Sequence, residues 1–444
     1  MKRFLLVLVL LMFAGSVFAA ELKITGDAHV RGSWSSSKEK GSDREHNAFY
    51  DYDFNLNAAL KANDAATVYL KLTYDKNVDG KGTVADGSAS ATDAGLAVER
   101  AYINYKFAPF LQLNTGLMAG GQWASAFGND EINVMRVQAI GALSKDMIFI
   151  ATVQKNDENG LWDSEKRESD AFYLSSILRF GNITVLPLFT WITDRVAMDR
   201  RINQYAFTLG LNGDFGMLGL ESEFFVATVD SNDQISDDPT LFGAYVNVFA
   251  KPVDNIKVGV AGAYASSHKK SGISYYYGDD FDFTMVVDDW GWGSQGGLPG
   301  MMSGKVYVEA TVLPKLTVDA AFAYGVQANK NVMKFNAAGG AMGGFAAAAT
   351  IATIDALGGL AALPALVFGN YITQDEADAY EIAYNEAAGM AIGKKLSYWE
   401  IDLGATWAFD DNTSYRIAGG YAGMKADGQK SNDFRIEHKI QVKF

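Results

Sequence analysis

The chain has 444 residues, 20% of them charged, with 52 Asp+Glu against 38 Lys+Arg and a formal net charge of −14. This acidity argues against nucleic acid as a partner, which calls for a basic surface. The absence of cysteine excludes disulfide staples and thiol chemistry. Glycine is abundant at 45, proline scarce at 7, and aromatic residues reach 13%, a share that suits rings placed at membrane interfaces.

The first segment, 1–19, reads as a secretory signal. Lys2 and Arg3 precede an unbroken apolar run from Phe4 to Phe13, and Val17 and Ala19 supply the small residues expected before a cleavage point after Ala19. The run is too short for a helix crossing a hydrocarbon core of ~30 Å, which needs about 20 residues.

From residue 20 onward the dominant signal is period two. In 22–34, Leu22, Ile24, Gly26, Ala28, Val30, Gly32 and Trp34 alternate with Lys23, Thr25, Asp27, His29, Arg31 and Ser33. Side chains of a strand point alternately to its two faces, so such a segment offers one face to hydrocarbon and the other to water. Similar segments follow at 50–60, 67–75, 100–107, 111–120, 133–142, 147–155, 170–180, 183–193, 202–211, 219–230, 240–251, 256–266, 304–313, 316–328, 396–409, 413–425 and 433–444. The count is 18, with 16 as the neighbouring possibility. Connections alternate in length. Short ones rich in turn residues (62–65, 108–110, 144–146, 181–182, 214–216, 252–255, 314–315 and 410–412) are separated by longer polar ones at 36–48, 76–95, 121–132, 156–169, 231–239, 267–303 and 329–395. A soluble sandwich would give a less regular alternation and a uniformly apolar inner face.

The last segment alternates to its end. Phe434, Ile436, His438, Ile440, Val442 and Phe444 lie on one face, and Arg435, Glu437, Lys439, Gln441 and Lys443 on the other. A final strand of this kind, closing on an aromatic residue, resembles the outer-membrane β-barrels of Gram-negative bacteria and their porins. The resemblance covers essentially all of 20–444. It implies an all-β fold: a transmembrane antiparallel β-barrel with short periplasmic turns, long external loops and both termini in the periplasm. It also implies that Ile440, Val442 and Phe444 form the signal read by the barrel-assembly machinery. The partners would be the lipid bilayer, lipopolysaccharide and further copies of the chain in a trimer. A barrel of this size leaves an aqueous channel, whereas one of about 8 strands is filled by its own side chains.

With the polar faces turned inward, the basic lining residues are Lys23, Arg31, Lys71, Arg100, Lys106, Arg136, Arg179, Lys257 and Arg416. The acidic ones are Asp27, Asp51, Asp53, Glu221, Glu223, Glu309, Asp319, Glu400 and Asp402. The basic set falls mostly on early strands and the acidic set mostly on late ones, which would place opposite charges on facing walls and a transverse field across the pore. The third long connection, 121–132, corresponds by position to the loop that narrows trimeric porins. Asp130 and Glu131 are therefore expected to face Arg100 and Arg136.

Two connections stand out. The stretch 275–292 interleaves Tyr275, Tyr276, Tyr277, Phe281, Phe283, Trp290 and Trp292 with Asp279, Asp280, Asp282, Asp288 and Asp289. Such a loop could stack on sugars or gather oxygens around Ca²⁺, or its aromatics could simply pack on one another. The segment 329–395 is too long to lack structure of its own. Its second half, from Gln374 to Met390, has Ala, Glu and Tyr at helical spacing, with Thr373 and Glu376 placed as a capping box. One or two helices are expected there, folded into the lumen, over its mouth, or against a partner.

Nothing points to an enzyme. His29, His46, His268 and His438 show no zinc-binding spacing, and no Gly-x-Ser-x-Gly is present; neither a metal nor a cofactor is expected. The expected function is passive diffusion of small hydrophilic solutes and ions through a water-filled channel. The alternatives are a substrate-selective channel and a barrel that sheathes a partner.

Overall fold

The computed structural model describes residues 21–39, 44–79, 96–128, 132–158, 168–196, 200–231, 240–266, 281, 283–287, 300–327, 397–426 and 429–444. The expected signal segment 1–19, Asp130, Glu131, most of 275–292 and the segment 329–395 with its expected helices lie outside the described residues.

Eighteen strands form one antiparallel sheet. They are β1 (Glu21–Glu39), β2 (Glu45–Lys61), β3 (Ala66–Asp79), β4 (Leu96–Ala108), β5 (Leu111–Gly120), β6 (Ile132–Ser144), β7 (Met147–Glu158), β8 (Glu168–Phe180), β9 (Ile183–Val196), β10 (Arg200–Asp214), β11 (Leu218–Ser231), β12 (Thr240–Val253), β13 (Ile256–Ala265), β14 (Met301–Leu313), β15 (Leu316–Gln327), β16 (Ser397–Ala408), β17 (Thr413–Ala426) and β18 (Gln429–Lys443). Each pairs with its chain neighbours, and β18 returns to pair with β1 from Asp27↔Lys443 to Glu39↔Ser431, closing the barrel. The seam is completed by Phe444, whose N–H donates to Gly26 O (2.9 Å) and whose carbonyl accepts from Gly26 N–H (2.7 Å). Closure leaves no edge, the condition for a sheet to stand in hydrocarbon.

Alternation settles which face is which. Leu22, Ile24, Val30, Trp34, Phe54, Val260, Leu403 and Ile440 are exposed on the outside. Their neighbours Asp51, Asn55, Asn104, Glu223 and Glu400 are buried on the inside. Outward aromatics gather near both ends, with Phe107, Phe110, Phe180, Phe215, Phe409 and Phe444 at the short-turn end. Toward the other end, Trp191 stacks between Phe172 (4.9 Å between centroids) and Tyr205 (6.4 Å). An apolar band between two aromatic girdles is what a tilted membrane strand requires.

Several strands run further at the long-loop end than the hydrophobic pattern indicates. The stretch 22–34 extends to Glu39, and 50–60 begins at Glu45. Beyond Trp34 no lipid demands an apolar face, so Ser35, Ser36 and Ser37 carry no outward hydrophobic signal. The backbone ladder continues regardless, pairing Ser37 with Glu45 and Asp433. At the other end the turns are tight and locally satisfied. Asn63 Oδ1 accepts from Ala65 N–H (2.8 Å) and Ala66 N–H (2.9 Å). Asp410 Oδ1 accepts from Asn412 N–H (2.8 Å) and Thr413 N–H (2.7 Å), and these donors, Asn412 first, hold its carboxyl below the usual range. Gly181 (φ 59°) and Gly216 (φ 80°) adopt the left-handed backbone that their turns need.

Candidate functional site: a lumen narrowed by two inward loops

The connection after β5 turns into the barrel and seats on the wall at β9–β11, with a 3₁₀ turn over Ala126–Gly128. Trp123 Nε1 donates to Leu186 O on β9 (3.0 Å). Ala124, at φ 55°, lies over Gly210 of β10, where a Cβ would come within 2.4 Å of its own. Ser125 donates both its N–H (3.0 Å) and its Oγ–H (2.6 Å) to Glu223 Oε2 on β11. Phe127 N–H donates to Ser125 Oγ (3.2 Å), and the Phe127 ring is fully buried. Gly210→Val should therefore unseat this loop, since the atom a new Cβ meets first is the Cβ of Ala124, fixed to its backbone and not the movable tip of a long side chain. Faster cleavage within 121–131 by added protease, with the barrel still folded, is the expected readout.

A second segment enters from the connection between β13 and β14. Glu400 of β16, fully buried, accepts backbone N–H groups from Met285 (2.7 Å), Val286 (2.5 Å) and Val287 (2.9 Å). The two loops meet through their rings: Phe127 packs edge-on to Phe281 (5.3 Å) and stacks on Tyr245 (6.0 Å), and Phe281 stacks on Phe283 (5.5 Å). Val286, Val287, Ala261, Ala263, Ala265, Ala323 and Ala422 complete one apolar cluster inside an otherwise polar lumen. Full burial of one such ring or branched side chain contributes about 1.5–3 kcal/mol. Within 275–292, then, Phe281 and Phe283 pack against other aromatics. Among the described residues no three His, Asp or Glu side chains are gathered as a metal site.

Beneath the joined loops lies a cavity of about 470 Å³. Its charged lining is Glu221, Lys257, Lys305, Glu309, Asp319 and Arg416. Arg416 grips Asp319 through both terminal nitrogens (2.6 and 3.0 Å). Lys257 Nζ sits over the rings of Phe249 (4.6 Å) and Tyr307 (5.6 Å), and Lys305 Nζ over Phe283 (5.7 Å). Neither lysine has a carboxylate within ion-pair distance among the described residues.

On the early wall most basic groups meet an acid on their own or a neighbouring strand. Arg31 Nε bonds Asp51 (2.7 Å) with Glu437 nearby (3.7 Å), and His29 lies 3.5 Å from Asp51. Lys71 bonds Glu99 (2.6 Å), which also holds Arg100 (3.2 Å), and Arg100 Nε donates to Asn133 (3.1 Å). Arg136 donates to Ala119 O (2.5 Å) and to Gln154, and its guanidinium stands 5.7 Å from the Tyr173 ring centre. Arg31, Lys71 and Arg100 thus meet acids close by in the wall, whereas Arg136 is held by neutral acceptors.

Of the residues singled out in the sequence, Arg31, Arg100 and Arg136 line the interior. Lys106 and Arg179 are exposed at the short-turn rim, where Arg179 donates to Lys145 O (2.6 Å). Asp130 and Glu131 lie outside the described residues, so their expected partnership with Arg100 and Arg136 is not placed. Ile440, Val442 and Phe444 are outward and exposed, the last against Phe54 (6.0 Å). Glu99 escaped sequence reading. A bulge pairs Lys71 with Arg100 and Leu72 with Val98, so Glu99 turns inward beside Arg100 against the period-two rule.

No family model matches the chain, and no curated protein sequence does. Solved structures do. OprD of Pseudomonas aeruginosa aligns over 95% of this chain and 96% of its own, at 11% identity and a TM-score of 0.53. OpdL of the same organism aligns over 95% and 99%, at 10% identity and 0.53. OccK5 (OpdH) aligns over 95% and 98%, at 11% identity and 0.53. At such identities the likeness speaks for the fold. The closed 18-stranded barrel with its inward-turned loops has the fold of the outer-membrane porins, as the resemblance in the sequence implied.

Proposed function

We propose that this protein is an outer-membrane porin, a channel through which small hydrophilic solutes and ions diffuse down their gradients. In this reading the short turns and both termini face the periplasm and the long loops face the exterior. Lipid and lipopolysaccharide surround the apolar band, and copies of the chain associate as a trimer. The observation that carries the reading is the inversion of the barrel: apolar side chains outside, and inside a polar, charged lumen narrowed by loops rather than filled by wall side chains. Single-channel recording in planar bilayers with a salt gradient tests it. Ohmic steps with a defined reversal potential are expected, and a purified, folded protein that never conducts would sink it.

Substrate selection is the second reading, favoured by Lys257 and Lys305. Two ammonium groups held over aromatic rings beside a cavity, without carboxylate partners among the described residues, attract anions into the narrow zone. Replacing both with alanine should move the reversal potential toward cation preference. An unchanged potential would leave the general-diffusion reading standing alone.

A further inference from the structure

We propose that the inner wall from β3 to β7 carries a binding track for neutral polyhydroxylated solutes of the sugar class. The proposal deepens the channel reading above and rests on it.

Three observations carry it. First, this wall holds a continuous row of side-chain amides. Asn104 Nδ2 donates to Asn114 Oδ1 (2.6 Å), Asn114 Nδ2 to Gln138 Oε1 (3.1 Å), and Gln138 Nε2 to Thr152 Oγ1 (3.4 Å). The row follows the ladder register from β4 to β7. Asn104 and Thr152 are buried at its ends, and Asn114 and Gln138 are half-buried between them. A carboxamide has two N–H donors and an oxygen with two lone pairs, so Asn114 and Gln138 each keep one donor and one lone pair beyond their bonds in the row. The row fixes the direction of both. A hydroxyl, donor and acceptor at once, answers both.

Second, apolar surface flanks the row on either side. Toward the long-loop end, Tyr69 and Tyr102 stack at 4.8 Å with 17° between their planes. Toward the short-turn end, Ile140 of β6 pairs with Ile150 of β7, both half-buried and on the inner face, where water alone would favour polar residues. A sugar ring has C–H faces and a hydroxyl edge. Aromatic and aliphatic walls with a few placed polar groups are what hold such a ligand.

Third, the track is uncharged. On β4 to β7, the inner-face residues from Arg136 down to the rim at Lys106 carry no charge. The guanidinium of Arg136 is itself turned to Ala119 O and Gln154. Charged groups stand on the neighbouring wall, as at Arg31 and Asp51, and at the cavity of Lys257 and Arg416. Ions therefore gain little from this track. A polyol can replace the waters on the amides bond for bond and also cover the isoleucines, which water cannot do favourably.

Planar-bilayer recording with sucrose in the salt solution tests the track. For the wild type, current should fall along a saturating curve with sucrose concentration, beyond the loss of bulk conductivity. A polyethylene glycol of matched size should follow bulk conductivity alone. Asn114→Leu with Gln138→Met, which keeps the shapes and removes the amides, should raise the half-blocking concentration on the order of tenfold. Tyr102→Ala leaves the row in place and should also weaken the block, so an assembly failure of one variant does not end the test. A conducting wild type that sucrose and the glycol affect alike would overturn the track and leave the channel reading standing. Folded variants blocked at the wild-type concentration would do the same. Silence in salt alone would overturn both.

Discussion

Leu403→Arg is expected to destabilise the folded barrel by about 2–4 kcal/mol, the cost of a cation on the lipid face near the bilayer midplane. Leu403 lies midway along β16, points outward and is 61% exposed to what the barrel stands in. Across the ladder, Ala321 pairs with Asp402 and lines the lumen cavity. Ala321→Arg puts the same charge on the neighbouring strand, on the water-facing side, and should change stability by only about 0.5 kcal/mol, while altering ion preference. Denaturant unfolding from lipid vesicles, followed by tryptophan fluorescence, measures both. If the two variants lost equal stability, the assignment of outer and inner faces would be wrong.

Glu223→Ala should free the first inward loop. Glu223 accepts two hydrogen bonds from Ser125 at 3.0 and 2.6 Å and is 2% exposed. Hydrogen bonds to a charged group contribute about 1.5–3 kcal/mol each, so losing both weakens the seat by roughly 3 kcal/mol or more. At 1.4 kcal/mol per factor of ten, that raises the unseated fraction on the order of 100-fold. Recordings should show larger conductance with added gating noise, and Glu223→Gln, which keeps one acceptor, should fall between. A variant as quiet and as narrow as wild type would show that Trp123 and the Phe127 packing hold the loop without the carboxylate.

These two tests probe parts of the protein that differ in how far the sequence foretells them. The wall was legible because the demand on it is local and repetitive. Each strand must offer lipid an apolar side chain at every second residue, so Leu22 to Trp34 declare both strand and orientation without reference to anything distant. The same holds for the turns at Asn63 and Asp410, where a side chain satisfies the backbone two or three residues on. Where the lipid ends, so does the signal, and for that reason β1 and β2 run past their predicted limits.

The narrow zone was legible only as a list of polar residues. Glu223 and Glu400 were recognisable as lumen-facing acids, yet the sequence gives no sign that they hold loops instead of meeting solute. Ser125 and Glu223 are 98 positions apart, and Val286 and Glu400 are 114. Glu99 was hidden for a different reason: its inward direction comes from a bulge, and alternation breaks at a bulge by definition. The pairing of Arg31 with Asp51 and of Arg416 with Asp319, on adjacent or nearby strands, was likewise not legible, because it depends on which strands lie side by side.

By itself, then, the sequence determined a membrane barrel of 18 or 16 strands, its two faces and the end at which its long loops lie, because hydrocarbon imposes a rule on every residue that touches it; pairing in the structure decided for 18. Only the tertiary structure decided how wide the path is and what borders it. Inside the barrel water tolerates many arrangements, and the one adopted depends on contacts between residues far apart in the chain: Ser125 on Glu223, Val286 on Glu400, and Phe127 on Phe281.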